Sequence, residues 1–328
     1  MTVLPGEEQA KAPEAKDRSF AAALFRGWSK RRLLALCGIG VLLAFLLYYP
    51  VGAWRVHAID DDPGFAAGET VTGQSKAVAI AARLIRREVD QHGWTPNKPF
   101  FLPVSILVDM PNFQKGITAM VGRFAIEMDQ QIGRSGASAD ADLERAAGLL
   151  QYPPNVWMID PAAPWARTLS TEKQYRNAAR SFEAYNQRLA AGQAAFDRRP
   201  EVLREVLVRF AKELEATAGR LDAPIGAASG WFSRAAGEAY YGGKGRAYAA
   251  LLLLGSLGED DAELLTARGL TDAWRAMLAS LAAAATPRPW LVLDGAADST
   301  FVPNHLTAQG YHLLRATARL NELAEALR

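Results

Sequence analysis

Leu33 to Trp54 is a run of twenty-two residues without a charge, and Lys30-Arg31-Arg32 stand immediately before it. Twenty helical residues rising 1.5 Å each cover about 30 Å, the hydrocarbon thickness of a bilayer. This run decides where the rest of the chain lives. Tyr48, Tyr49 and Trp54 sit at its far end, where an aromatic belt meets the water interface. Pro50 and Gly52 are expected to end the helix there. The competing reading is a cleavable leader with Val51-Gly52-Ala53 as the cleavage site. The apolar stretch is longer than the ~7–15 residues of a leader core. About thirty residues precede it, so an uncleaved transmembrane helix over 33–54 is the expectation.

Charge orients the span. Met1 to Arg32 holds seven Lys/Arg against four Asp/Glu, and Arg55 to Arg328 holds thirty against thirty-one. Cations on the N-terminal flank, with Asp60-Asp61-Asp62 beyond the other end, keep the N-terminus in the cytoplasm and export the body. A body so close to neutral lacks the concentrated basic surface of a nucleic-acid binder, and no nucleic-acid partner is expected. Cys37, the single cysteine, lies inside the apolar run. That excludes an intramolecular disulfide, a cysteine zinc site and a thiol nucleophile in the exported body.

The Ala-, Glu-, Lys- and Pro-rich residues before Ser19 read as a disordered tail. Ser19 to Arg32 reads either as a short interfacial helix or as an extension of the span. Residues 1–32 are therefore expected as a cytoplasmic tail, with Trp28, Lys30, Arg31, Arg32, Tyr48, Tyr49 and Trp54 meeting membrane lipid at the two interfaces. Residues 55–69 form a polar connector, and 70–328 a helical domain.

Apolar residues at spacings of three and four fill that domain, for example Ile117, Met120, Val121, Phe124 and Met128, or Tyr175, Ala179, Phe182, Tyr185 and Leu189. Such stripes predict an all-α fold of seven or eight helices. Prolines at 96, 99, 103 and 111 break 94–111 into extended crossing segments, and Val104 to Val108 is expected as a short strand or extended crossing. Thr70 or Thr72 is the expected cap of the next helix, which Gly93 closes. Gly242-Gly243 and Gly245 are expected to weaken the helix after Trp231 and to put Lys244 on a mobile basic joint. A single helix is expected over Asp260 to Ala285. In the last helix Leu306, Leu313, Leu320 and Leu327 alternate with Gly310, Thr317 and Ala324, a seam for an in-chain neighbour or for a homo-oligomer.

Chemistry is sparse. Asp109, Asp160 and Asp294 each end a proline-to-aspartate apolar segment, and together they would make a carboxylate site for a divalent cation. Individually, each is the usual helix cap or Asx-turn. His305 and His312 stand one heptad apart, about 10.5 Å along a helix, too far to chelate one ion. Glu238 beside Tyr240 and Tyr241 has the makings of a general acid on a sugar polymer, though a solvated helix face explains it as well. No cofactor motif is present, and none is expected to bind.

Asp109-Met110-Pro111-Asn112-Phe113-Gln114, with Tyr48-Tyr49-Pro50-Val51-Gly52 at the membrane exit, resembles an uncharacterised, mainly proteobacterial family catalogued as a domain of unknown function. The resemblance covers most of the chain from the span onward. It implies a Gram-negative inner-membrane setting and carries over no catalytic residue; with the single span and its basic flank, the expectation is a single-pass protein with a periplasmic C-terminal domain. The function expected is a cell-envelope interaction or scaffold protein, bound to another envelope protein or to the cell wall. The alternative is an exported peptidoglycan hydrolase working through carboxylates.

Overall fold

The computed structural model describes residues 30–56, 59–134, 140–159, 165, 168–222, 233–295 and 303–328, and at Leu33, 54–56 and 132–134 the backbone alone. The tail with Trp28, the side chain of Trp54, and Asp160 lie outside the described residues. The chain divides into two units, Met1–Val51 and Gly52–Arg328.

The first unit holds most of helix α1, Lys30–Val56. Its apolar window has a mean hydropathy of 2.2 and none of it is buried. It is long and apolar enough to cross a membrane. Lys30, Arg31 and Arg32 are exposed at its start, and Tyr48 and Tyr49 meet edge-to-face at 5.3 Å. The helix runs six residues beyond Pro50 rather than stopping there; the proline removes one N–H but leaves the α conformation open to the residues after it.

The second unit is all-α among its described residues, apart from one isolated bridge between Asp294 and Asn304. Its helices are α2 (Lys76–Arg86), α3 (Asp109–Arg134), α4 (Ala141–Leu150), α5 (Thr171–Ala190), α6 (Pro200–Asp222), α7 (Arg234–Asp260), α8 (Ala262–Ala267), α9 (Thr271–Ala285) and α10 (His305–Ala326). Helix α7 is the axis of the unit. It packs against α2, α3, α6, α9 and α10, and Ala247 to Leu254 are all buried along it. A helix apolar on every side needs neighbours on every side.

The glycines expected to weaken α7 instead let α3 approach it. A Cβ on Gly245 would collide with the Phe113 carbonyl oxygen, and one on Gly116 with the Gly242 carbonyl oxygen, so the two backbones touch. Bare glycine faces permit that approach, and dense packing around the crossing keeps α7 continuous. Lys244 is therefore no mobile tip.

Other departures from the sequence reading have equally local causes. Ser75, not Thr70 or Thr72, caps α2 by accepting the Val78 N–H at 3.2 Å. The Asp260 carboxylate then takes the Lys76 and Ala77 N–H groups at 2.9 and 3.0 Å, tying the start of α2 to the end of α7 with the charge sign that a helix N-terminus favours. A π-helical turn, Arg87–Gln91, extends α2. Pro103–Ile106 is a 3₁₀ turn rather than a strand. The helix expected over Asp260–Ala285 breaks in two at Gly269, whose φ of +66° suits glycine. The leucine seam of α10 is buried within the chain, where α10 packs against α6 and α9.

Candidate functional site: a cleft beside a buried ionic cluster

Of the three consecutive aspartates after α1, Asp62 is exposed and Asp60 half-buried, but Asp61 is drawn into the core. Asp61 is 1% exposed. It accepts from Lys244 Nζ at 2.5 Å and pairs with Arg288. Lys244, itself 1% exposed, gives its other two protons to the carbonyls of Ala285 and Pro287 at 2.7 and 2.8 Å. All three ammonium donors are used, and they join α7, the C-terminus of α9 and the aspartate segment. Burial pushes the Asp61 carboxyl up, but hydrogen bonds from Arg288 and Lys244 outweigh it and hold the group below the usual carboxylate range.

Asp60 and Asp62 complete the attachment. Asp60 lies 3.3 Å from Arg87 Nη1. The Arg87 guanidinium donates to Glu88 at 2.8 Å and Tyr248 at 2.9 Å and sits over the Phe65 ring at 4.4 Å. Tyr248 in turn donates to the Asp62 carbonyl at 2.8 Å. The π turn that extends α2 buries both Arg87 and Glu88, and Gln114 of α3 donates to the Glu88 carboxylate at 3.2 Å.

Beside this cluster opens a cleft of about 430 Å³, within the size range of small-molecule sites. Ile106–Asp109 forms one wall, Arg234, Gly237 and Tyr241 of α7 with its cap Ser233 another, and Trp290–Val292 the third. A second cavity of about 340 Å³ shares Asp109, Tyr241 and Trp290 with it and reaches Ile59, Lys244 and Arg288. Trp290 stands fully exposed at the rim. Burial, helped by the charge of Asp109, pushes the Tyr241 phenol up to about 12, so it is a hydrogen-bond donor at neutral pH. Asp109 opens α3 and its carboxylate accepts the Met110 N–H at 2.8 Å. The arrangement offers a ligand an aromatic face, one carboxylate and one phenol in a mostly apolar slot.

The expected site residues fall in different places. Asp109 lines the cleft. Asp294 is bonded to Asn304 Nδ2 at 3.3 Å, beside the cap of α10. Among the described residues no group of three His, Cys, Asp or Glu side chains is arranged to hold a metal ion. Glu238 is 46% exposed on its side chain and pairs with Arg234 one turn away at 3.0 Å; it is not among the cleft-lining residues. His305 accepts the Leu293 N–H at 2.9 Å, and burial holds its imidazole below the usual range. Sequence reasoning missed Trp290, Tyr241 and Lys244 as a neighbourhood. The proline-to-aspartate echo marked Asp109 and the Trp290 segment, but not that they face each other.

No curated protein and no solved structure matches the chain. The match to a family model begins at the last residue of α1 and stops in the first turn of α7, so it includes Asp61, Arg87 and Asp109 but not Lys244 or Trp290. It covers residues 56–236, more than half of the 328, and the chain belongs to this family of uncharacterized proteins conserved in bacteria (DUF2333).

Proposed function

We propose that the chain is a single-pass protein of the bacterial inner membrane, N-terminus in the cytoplasm, whose helical periplasmic domain is a cell-envelope interaction module and not an enzyme. The observation that carries this is the make-up of the cleft. Asp109 is the single carboxylate among the described residues lining either cavity. Glycosidic hydrolysis in its common forms needs two flanking carboxylates, whereas binding needs an aromatic platform and a few fixed polar groups. Trp290, Tyr241 and Asp109 supply that set. The basic N-terminal flank, the apolar α1 and the near-neutral body support the topology.

The test is a photoreactive benzophenone side chain at position 290 of the full chain in cells. A reproducible adduct with one envelope protein or with cell-wall fragments is expected, and narrowing the cleft by Gly237→Leu is expected to reduce it several-fold. Adducts that ignore Gly237→Leu would contradict the cleft as the site. Release of muropeptides from purified sacculi, lost on Asp109→Asn, would instead establish the hydrolase.

A further inference from the structure

Several of the large apolar side chains left exposed on the second unit gather on neighbouring segments. Phe100 is 82% exposed and meets Phe101 at 5.7 Å, and Phe101 meets Trp157 at 6.1 Å. Met158, 56% exposed, follows Trp157. Ile106, also exposed, closes the same loop and lines the cleft across from Trp290. The two segments are laced together: Asn97 Nδ2 donates to the Val156 carbonyl at 2.9 Å, and Trp94 Nε1 to the Pro154 carbonyl at 2.8 Å. The rings therefore stand on a braced platform, not on slack loops. Exposed apolar groupings of this kind mark interaction surfaces.

We propose that this face, built on 97–106 and 157–158 with Trp290 at its border, rests in the bilayer interface as a second membrane contact. The occupant follows from what lies against the loop. Gly52, two residues before the end of the charge-free run, packs directly on Pro103, and any Cβ at 52 would collide with the Pro103 ring. The aromatic loop is thereby fastened to the residue at which the chain leaves the apolar span. Large rings at that level suit the headgroup–acyl boundary, where aromatic side chains are favoured. A lipid surface is always present at this point of the chain, whereas a protein partner has to be recruited. The face also borders the cleft, so a ligand reaching Trp290 does so at the membrane surface. This inference rests on the reading of α1 as a membrane span.

The full chain, reconstituted in vesicles of mixed anionic and zwitterionic phospholipid, tests both separately. An environment-sensitive fluorophore is placed on the native Cys37, or, in a Cys37→Ser background, at Phe100→Cys, Met158→Cys or Ala267→Cys. All three introduced positions are exposed, and Ala267 ends α8, just past the opposite end of α7 from the cleft. Spin-labelled lipid is expected to quench positions 37, 100 and 158 about twofold, with 100 and 158 at the shallow depth of ~5–10 Å typical of interfacial elements, and to leave 267 unchanged. Quenching at 37 without quenching at 100 and 158 overturns the second contact and leaves the span intact. No quenching at 37 overturns the span itself. Shielding of 100 and 158 from aqueous iodide without lipid quenching assigns the face to a protein and likewise overturns the proposal.

Discussion

Helices α1 and α7 are both twenty-seven residues long and both carry long apolar stretches, yet they solve opposite problems. Along α1 the large side chains Leu34, Val41, Phe45 and Leu46 stand exposed, and its Gly38 and Gly40 have nothing within 4 Å of where a Cβ would be. Along α7 the side chains Leu251 to Leu254 are buried, and its Gly242 and Gly245 touch the backbone of α3. Apolar content alone does not tell a helix left exposed from one with protein neighbours on every side. What separates them is where their charges lie: α1 opens on an unbroken basic triplet at its N-terminus, whereas α7 carries Lys244 and Arg246 in its middle. Those two charges are affordable only because partners were built to receive them.

The comparison breaks hardest at its glycines. Gly245→Leu forces α3 from α7 and is expected to cost about 3 kcal/mol or more, read as loss of the cooperative thermal transition by circular dichroism in detergent. Gly40→Leu in α1 is expected to leave that transition where it is. An equal loss from both would mean that the two glycines do the same job.

Next comes Lys244→Met, which leaves the buried Asp61 carboxylate with Arg288 as its remaining cation. A cost of about 3 kcal/mol is expected, mostly from the stranded charge, and Asp61→Asn added to Lys244→Met should recover part of it. The pH dependence has a definite sign. Asp61 is depressed in the folded state, so its contribution is complete above the unfolded carboxylate range near 4 and disappears as the pH falls through the folded value. In the Asp61→Asn variant the acid limb of the stability curve should be shallower.

The smallest expected effect lies at the end of α7. Burial, with the neighbouring charge of Asp260, pushes Asp261 up to about 7, and its Oδ1 is buried without a partner. An acid raised on folding binds more protons than the unfolded chain between about pH 4 and 7, so stability falls as the pH rises through that window. Asp261→Asn is expected to add roughly 1–2 kcal/mol at pH 8 and little at pH 5, measured by urea titration at the two values. No difference between the two would show that the carboxyl is solvated after all.

Much of this architecture was readable because helical periodicity is local. Val121, Phe124, Phe182, Leu207 and Leu313 announce the buried faces of four helices, and all are buried. The all-α class came through for the same reason, whereas the family resemblance rested on the residues at 109–114 and 48–52 themselves. Helix ends were less legible: Ser75, not either threonine, caps α2, because the Asp260 carboxylate from 184 residues away selects the start. The ionic cluster was invisible, since nothing local pairs Asp61 with Lys244 across 183 positions. Glycines read as weakness in isolation, and become contact surface once Phe113 lies against them. The cleft belongs to three segments distant in sequence, so nothing local to Asp109 pointed to Tyr241 and Trp290, which line it with Asp109.

Burial of Asp61 also changes the length of the leash. Read as a free connector, 55–69 would let the domain roam about 50 Å from its anchor. With Asp61 fixed in the core, five residue steps separate it from Val56, the last residue of α1, and these span at most about 17 Å. If α1 crosses a membrane as proposed, a domain tethered so closely would sweep only a thin shell beside it. On that reading it would meet anything embedded in the same membrane at high effective concentration. The length of the tether is thus cut by a buried carboxylate, together with the contact of Gly52 on Pro103 that precedes it.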